Sequence, residues 1–222
     1  MSELDLQPEI AMREQLLKAA TRLFAERGYG GTSLQRIADA VGIRKASLLY
    51  HFPSKVALYD AVLSELLSRW NESLPKLLLA AQTSRDRFEW VIHAGMDFFR
   101  EDRNRARLLV RDMLDRPEHM RKLILTHTQE WVKIICDVLR QGQENGRVRP
   151  DLDPEAYIVN VVHLLCGFAA ADTTAFLLEP SGETENPVKF ERMSNEFMRM
   201  ARTALFLPRV ETPLAFGETN ET

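Results

Sequence analysis

The chain has 222 residues, 45% apolar and 27% charged, a balance that excludes a disordered or fibrous chain and leaves enough apolar side chains for a sizeable core. Two cysteines, Cys136 and Cys166, are too few for a disulfide scaffold and lack CxxC spacing. The opening MSELDLQPEI has no apolar signal core, so a reducing, cytoplasmic setting is expected. The net charge of −3 is unevenly spread: residues 10–59 hold eight basic side chains against three acidic ones (+5), and the remainder holds 21 against 29 (−8). A basic segment on an acidic body points to an anionic partner for the first part alone.

In chain order, Leu16, Leu17, Ala20, Leu23 and Phe24 recur at helical spacing, and Gly28 stops that helix. Ser33 is a good N-cap for a second, two-turn helix carrying Leu34, Ile37, Ala38 and Val41 and ending at Gly42. A third helix is expected from about Lys45 to His51, with Leu48 inward and Pro53 ending it. Ser54 then caps a longer helix through Val56, Leu58, Tyr59, Val62, Leu63, Leu66 and Trp70. Two short helices across a glycine turn, with Ala38 small at the crossing and Leu48 plugging the core, form the pattern of a helix-turn-helix. Lys55 sits in the first turn of its helix, where the dipole disfavours a cation. A docked anion such as a DNA phosphate removes that conflict.

The stretch Leu16 to Leu63, above all Ala46-Ser47-Leu48-Leu49-Tyr50-His51-Phe52-Pro53-Ser54-Lys55, closely resembles the DNA-binding domain of the TetR family of transcriptional regulators. Ala19-Ala20, Leu23-Phe24, Gly28-Tyr29, Thr32-Ser33, Ile37-Ala38 and Val41-Gly42 add to the match. The resemblance implies that the third helix enters the major groove. It places Lys45, Ala46, Ser47, Tyr50 and His51 at base- and backbone-contacting positions, Ser33 and Gln35 at contacts opening the second helix, and Lys55 on phosphate. Two departures stand out. Leu49 replaces a common tyrosine, and Arg44 replaces a common Ser or Thr cap, so Arg44 is expected to reach a phosphate or a guanine edge.

Beyond Ser84 every segment reads as helix. Phe88, Val91, Ile92, Met96 and Phe99 share one face, and a shorter helix carries Leu108, Leu109 and Met113. Pro117 opens a helix expected to run unbroken to Gly146, and Asp153-Pro154 starts another to about Leu178. Ala156 to Ala171 lacks any formal charge and is apolar all round, yet too short and too polar at Asn160, His163 and Asp172 to span a membrane. Such a helix must be covered on every side. The last helix, about Val188 to Leu207, carries a stripe of Phe190, Met193, Phe197, Met200 and Ala204. Pairing both helices with their copies across a two-fold axis would cover them, with Leu165, Ala169 and Phe176 contributing. A homodimer also suits a short reading helix, because two copies read both halves of a palindrome.

The expected molecule is therefore all-α with about nine helices. It comprises a tail (1–9), a helix-turn-helix domain (10–56), a helical effector-binding and dimerisation domain (57–207) and a second tail (208–222) expected to be flexible. The expected partners are double-stranded operator DNA, a second copy and a small apolar or amphipathic effector. Met96, Phe99, Met113, Trp131 and Phe168 are candidates to line the effector cavity, with His93, His127 and Asp172 as polar anchors. No metal, cofactor or membrane is expected; His163 and Cys166 lack a third ligand. The expected function is a repressor released by its effector. Rival readings are a DNA-binding activator or architectural protein without an effector, and a helical enzyme, for which no nucleophile elbow, phosphate loop or HExxH is present.

Overall fold

Ten helices occupy the residues described by the computed structural model, which are 3–80, 84–170 and 187–207. They are α1 (Glu3–Gly31), α2 (Leu34–Val41), α3 (Lys45–His51), α4 (Lys55–Ala80), α5 (Ser84–Glu101), α6 (Arg103–Asp115), α7 (Pro117–His127), α8 (Gln129–Glu144), α9 (Pro154–Ala170) and α10 (Pro187–Leu205). Among the described residues the sole β pairing is an isolated bridge between Val148 and Phe206.

Local sequence sets the first four boundaries. Gly28 kinks α1 with φ +71, a region that L side chains rarely adopt, and the buried Thr32 hydroxyl lies within 3.0 Å of the Leu23 and Gly28 carbonyls. The Ser33 hydroxyl accepts from the Arg36 amide at 3.2 Å, and Gly42 closes α2 in the left-handed region at φ +79. The Ser54 hydroxyl accepts from the Ala57 amide, so α4 starts where expected.

One large core runs through both halves of the chain. Leu16, Phe24, Ile37, Leu48, Leu58 and Leu63 are closed to solvent and share a cluster with Ile92, Met96, Leu108 and Leu165. α1 packs on α2, α4 and α6, and α6 in turn packs on α9. A smaller cluster of Cys136, Leu139, Val148, Ile158 and Leu205 joins α8, α9 and α10.

The helix expected to run unbroken from Pro117 is two helices, and this raises the count from nine to ten. It breaks at Thr128, whose hydroxyl donates to the Ile124 carbonyl at 2.7 Å, while Asn71 on α4 donates its side-chain amide to the His127 carbonyl. A side chain inserted into the carbonyl ladder is a recognised cause of a helix break. The start at Asp153 is as expected, with its carboxylate accepting from the Ala156 amide at 3.0 Å. The continuation to Leu178 and the second tail lie outside the described residues.

Candidate nucleic-acid interface

α3 is seven residues long, and Leu48 is its one buried side chain. A helix so short is marginal alone. It is held by that single anchor and by contact with α2, and presents Lys45, Ala46, Ser47, Leu49 and Tyr50 outward. Tyr50 is 77% exposed, large for an aromatic ring with no partner beyond the edge of His51 at 5.4 Å. Arg44 stands at the N-cap with no side-chain cap bond, its side chain exposed; its carbonyl accepts from the Ser47 and Leu48 amides. Gln35 is exposed and donates to the Asp39 carboxylate at 2.7 Å.

Beside α3 lies a concavity of about 410 Å³ lined by Gly30 to Leu34, Arg36, Lys45 and Lys55. Three cations from three helices and the N-terminal end of α2 converge there, the arrangement that binds an oxyanion. Lys55 does not simply extend into water. Its Nζ sits 4.3 Å over the Tyr29 ring, and burial, together with the charge of Arg116, holds its pKa below the ordinary lysine value. An anion in the concavity would supply the charge this ammonium lacks. Ser33, Lys45 and Lys55, separated along the chain, are thus brought together; Arg36 joins them without having been picked out from the sequence.

Behind the concavity is a polar network that sequence reading missed. Tyr59 on α4 donates to the wholly buried Asp112 on α6 at 2.8 Å. Burial, then the bond to Asp112, pushes the Tyr59 phenol far above its usual pKa, so it remains a donor. His119 on α7 has Nδ1 2.8 Å from Asp112 and Nε2 2.8 Å from Asp60 on α4. Arg116 lies over the rings of Tyr29 and Tyr59, at 4.4 and 5.0 Å. No local motif marks these residues, for Tyr59 and Asp60 lie more than fifty positions from Asp112 and His119 along the chain.

The expected effector residues are distributed differently. Met96 and Phe99 are buried in the main core, and Met113, His127, Trp131 and Phe168 are half-buried. His93 is a correction: its side chain is exposed on the outer face of α5, so it anchors nothing in the interior. Asp172 lies outside the described residues. Asn71 joins the set instead: its Oδ1 and the Trp131 indole N–H are buried without a hydrogen-bond partner, and the Trp70 and Trp131 rings meet edge-on at 6.3 Å.

Of the expected dimer residues, Leu165 and Phe197 are buried within the chain's own core, and Ala169 and Met193 are half-buried. Met200 and Ala204 are exposed. Phe176 lies outside the described residues, as does the Phe190 side chain. The exposed side of α9 carries Val159, Leu164 at 50% exposure and Gly167 together with the polar Asn160 and His163, and Met200 on α10 is 52% exposed. Cys166 faces inward and desolvation pushes its thiol up to about 12, whereas His163 faces out, so the pair shares no metal position. Among the described residues no group of three or more His, Cys, Asp or Glu could hold a metal ion, and no helix is long and apolar enough to cross a membrane.

A short, singly anchored helix held outward beside a cationic concavity, on a larger helical body, defines a helix-turn-helix DNA-binding regulator. Residues 16–62 match the family described as bacterial regulatory proteins, tetR family, and residues 109–174 match the tetracyclin repressor-like C-terminal domain. The transcriptional repressor KstR2 of Mycobacterium tuberculosis is 30% identical over 143 residues, 64% of this chain and 71% of that protein. The transcriptional regulator RutR of Escherichia coli is 47% identical over 60 residues, 27% of this chain and 28% of its own. The solved structure of KstR2 superposes with a TM-score of 0.69 at 21% identity, covering 88% of this chain and 95% of that one. FadR of Bacillus subtilis, solved with stearoyl-CoA, gives 0.67 at 16% identity, covering 86% and 98%. The chain belongs to the TetR family of transcriptional regulators.

Proposed function

We propose that this regulator is a cytoplasmic repressor that binds a palindromic operator as a homodimer and leaves it when a small molecule occupies the helical body. The observation that carries the DNA part is α3, which has one side chain in the core and the rest turned outward beside Lys45, Arg36 and Lys55. In this reading Ala46, Ser47, Tyr50 and His51 meet bases and backbone, and Arg44 adds a long cation at the groove edge. Ser33, Gln35, Lys45 and Lys55 hold phosphates, which position the reader, while base-edge contacts specify the sequence. The two-fold pairing is supported by the open Val159, Leu164 and Met200 surface on α9 and α10.

The effector part is supported by Asn71 and Trp131. A buried acceptor and a buried donor left unmatched cost about 1–3 kcal/mol each. A ligand with an apolar body and one polar end offering both a donor and an acceptor would satisfy them. Its preference for one separation of the two α3 helices over another would set the loss of DNA affinity. The body is read as a sensor and not as a catalyst. The test is to purify the protein from cell extract, identify the co-purifying small molecules by mass spectrometry, and add each to the protein–operator complex. Release of DNA together with a change in tryptophan fluorescence supports the reading. Retention of DNA with every bound compound overturns effector release and leaves a DNA-binding protein without an effector.

A further inference from the structure

The histidine between α4, α6 and α7 has a proton requirement that DNA binding alone does not explain. Carboxylates accept hydrogen bonds, and a neutral imidazole can donate from only one nitrogen. Yet both ring nitrogens of His119 stand 2.8 Å from a carboxylate oxygen, Nδ1 from Asp112 and Nε2 from Asp60. Both bonds form together only when the site holds one proton more than a neutral ring and two carboxylates. The imidazolium supplies it.

The two ends of this bridge differ. Asp112 is 0% exposed, with its second oxygen accepting from Tyr59, so stripping its donor would strand a buried charge. The Asp60 side chain is 45% exposed and can turn to water. When the ring loses a proton, Nδ1–H therefore stays on Asp112, Nε2 gives its proton to solvent, and the Asp60 contact opens. The ring also lies 5.6 Å from the Tyr59 ring on α4; Arg116 between α6 and α7 and Asp115 on α6 act on that tyrosine, Lys55 on α4 and Tyr29 on α1 lie against Arg116, and Glu118 pairs with Arg121.

Asp60 lies five residues along α4 from Lys55. The bridge is thus one tie between the Lys55 end of α4 and the body, alongside the Tyr59–Asp112 bond and the buried Leu58 and Leu63, while Lys55 lines the cationic concavity. We propose that His119 is a proton-held pin: as an imidazolium it adds the Asp60 tie between α4 and α7 in the DNA-competent arrangement, and loss of its proton opens that tie and weakens operator binding. This rests on the reading of the concavity as a phosphate site, and not on the existence of an effector.

The test uses the full chain and a duplex that the wild-type protein selects from a random pool at pH 6, with affinity measured by fluorescence anisotropy from pH 6 to pH 8 at fixed ionic strength. Wild-type affinity is expected to fall by about fivefold or more, the lower end of ordinary inter-site coupling. H119Q would set an N–H toward one carboxylate and an acceptor oxygen toward the other, so it should bind weakly at pH 6 and lose most of the pH dependence. D60N is the sharper variant, because its amide can donate to a neutral Nε2. The bridge then survives proton loss, and affinity should stay high at pH 8. Ring ¹⁵N signals of His119 should show Nε2 losing the proton while Nδ1 keeps it. If wild type, H119Q and D60N share one pH profile, or if Nδ1 is the nitrogen that deprotonates, the pin is wrong. Lys55→Ala separates the two failures: full affinity in that variant overturns the phosphate reading and the pin with it. Lost affinity in Lys55→Ala alongside a common pH profile overturns the pin alone.

Discussion

Leu48 and Tyr50, two positions apart on α3, face opposite ways, the first into the core and the second to solvent, and the proposed function gives folding to the first and reading to the second. Leu48 is closed to solvent in the main core, so Leu48→Ala is expected to cost about 2–5 kcal/mol of stability, measurable by urea unfolding. Tyr50→Ala should leave stability within about 0.5 kcal/mol and weaken operator binding. Were both changes to act only on stability, α3 would be a structural helix and not a reader. Arg44→Ala should reduce affinity or relax base preference at one position by about 1–3 kcal/mol, the value of a bidentate arginine–guanine pair. An unchanged selection profile in that variant removes Arg44 from the interface. The cysteines make a separate prediction. Desolvation raises both thiols, Cys166 to about 12. The thiolate is the reactive form, so at pH 8 Cys166 stays in its unreactive thiol form. Ellman's reagent is expected to label neither cysteine in the native protein and both after denaturation.

At the scale of the helix, the structure bears out what short-range chemistry dictates and departs where distant residues intervene. Ser33, Gly42, Ser54 and Asp153 mark ends, and Gly28 a kink where a stop was expected, through their own backbone or hydroxyl and carboxylate groups, so they were legible in the sequence. The break at Thr128 was not, because the apolar pattern continues across it and the side chain that captures the His127 carbonyl is Asn71, on α4. The Asp60–His119–Asp112–Tyr59 network escaped for the same reason: its members are ordinary alone and meet only when α4, α6 and α7 pack. His93 was misread because its helix face could be judged only once α5 had neighbours. The proposed phosphate site was half legible. Lys55 showed itself by opposing a helix dipole, whereas Tyr29 and Arg116 beneath it gave no local sign. Lys55→Ala should lower operator affinity and reduce the slope of log affinity against log salt by about 1, the loss of one phosphate contact. A slope equal to the wild type's would mean that Lys55 meets no phosphate.

At the scale of the whole molecule, a net charge of −3 conceals a reader of +5 attached to a body of −8. Like charge on the body and on DNA leaves the N-terminal face as the favourable approach. In the proposed dimer, α9 and α10 form the surface that meets the second copy. Their exposed Val159, Leu164 and Met200 are unusual as bare apolar surface, and a two-fold axis would cover them. Leu164→Arg places a charge in that surface, so light scattering should report the 25.5 kDa single chain in place of a dimer. Operator affinity should fall with it. A dimer that persists in Leu164→Arg would place the pairing surface elsewhere. The most direct measurement is selection of DNA by the full-length protein from a random duplex pool, followed by determination of how many chains bind each selected duplex. The expected result is an inverted repeat whose half-site centres lie about 34–36 Å apart, bound by two copies. Enrichment of no sequence, or of an unsymmetric site filled by a single chain, would contradict paired reading by α3.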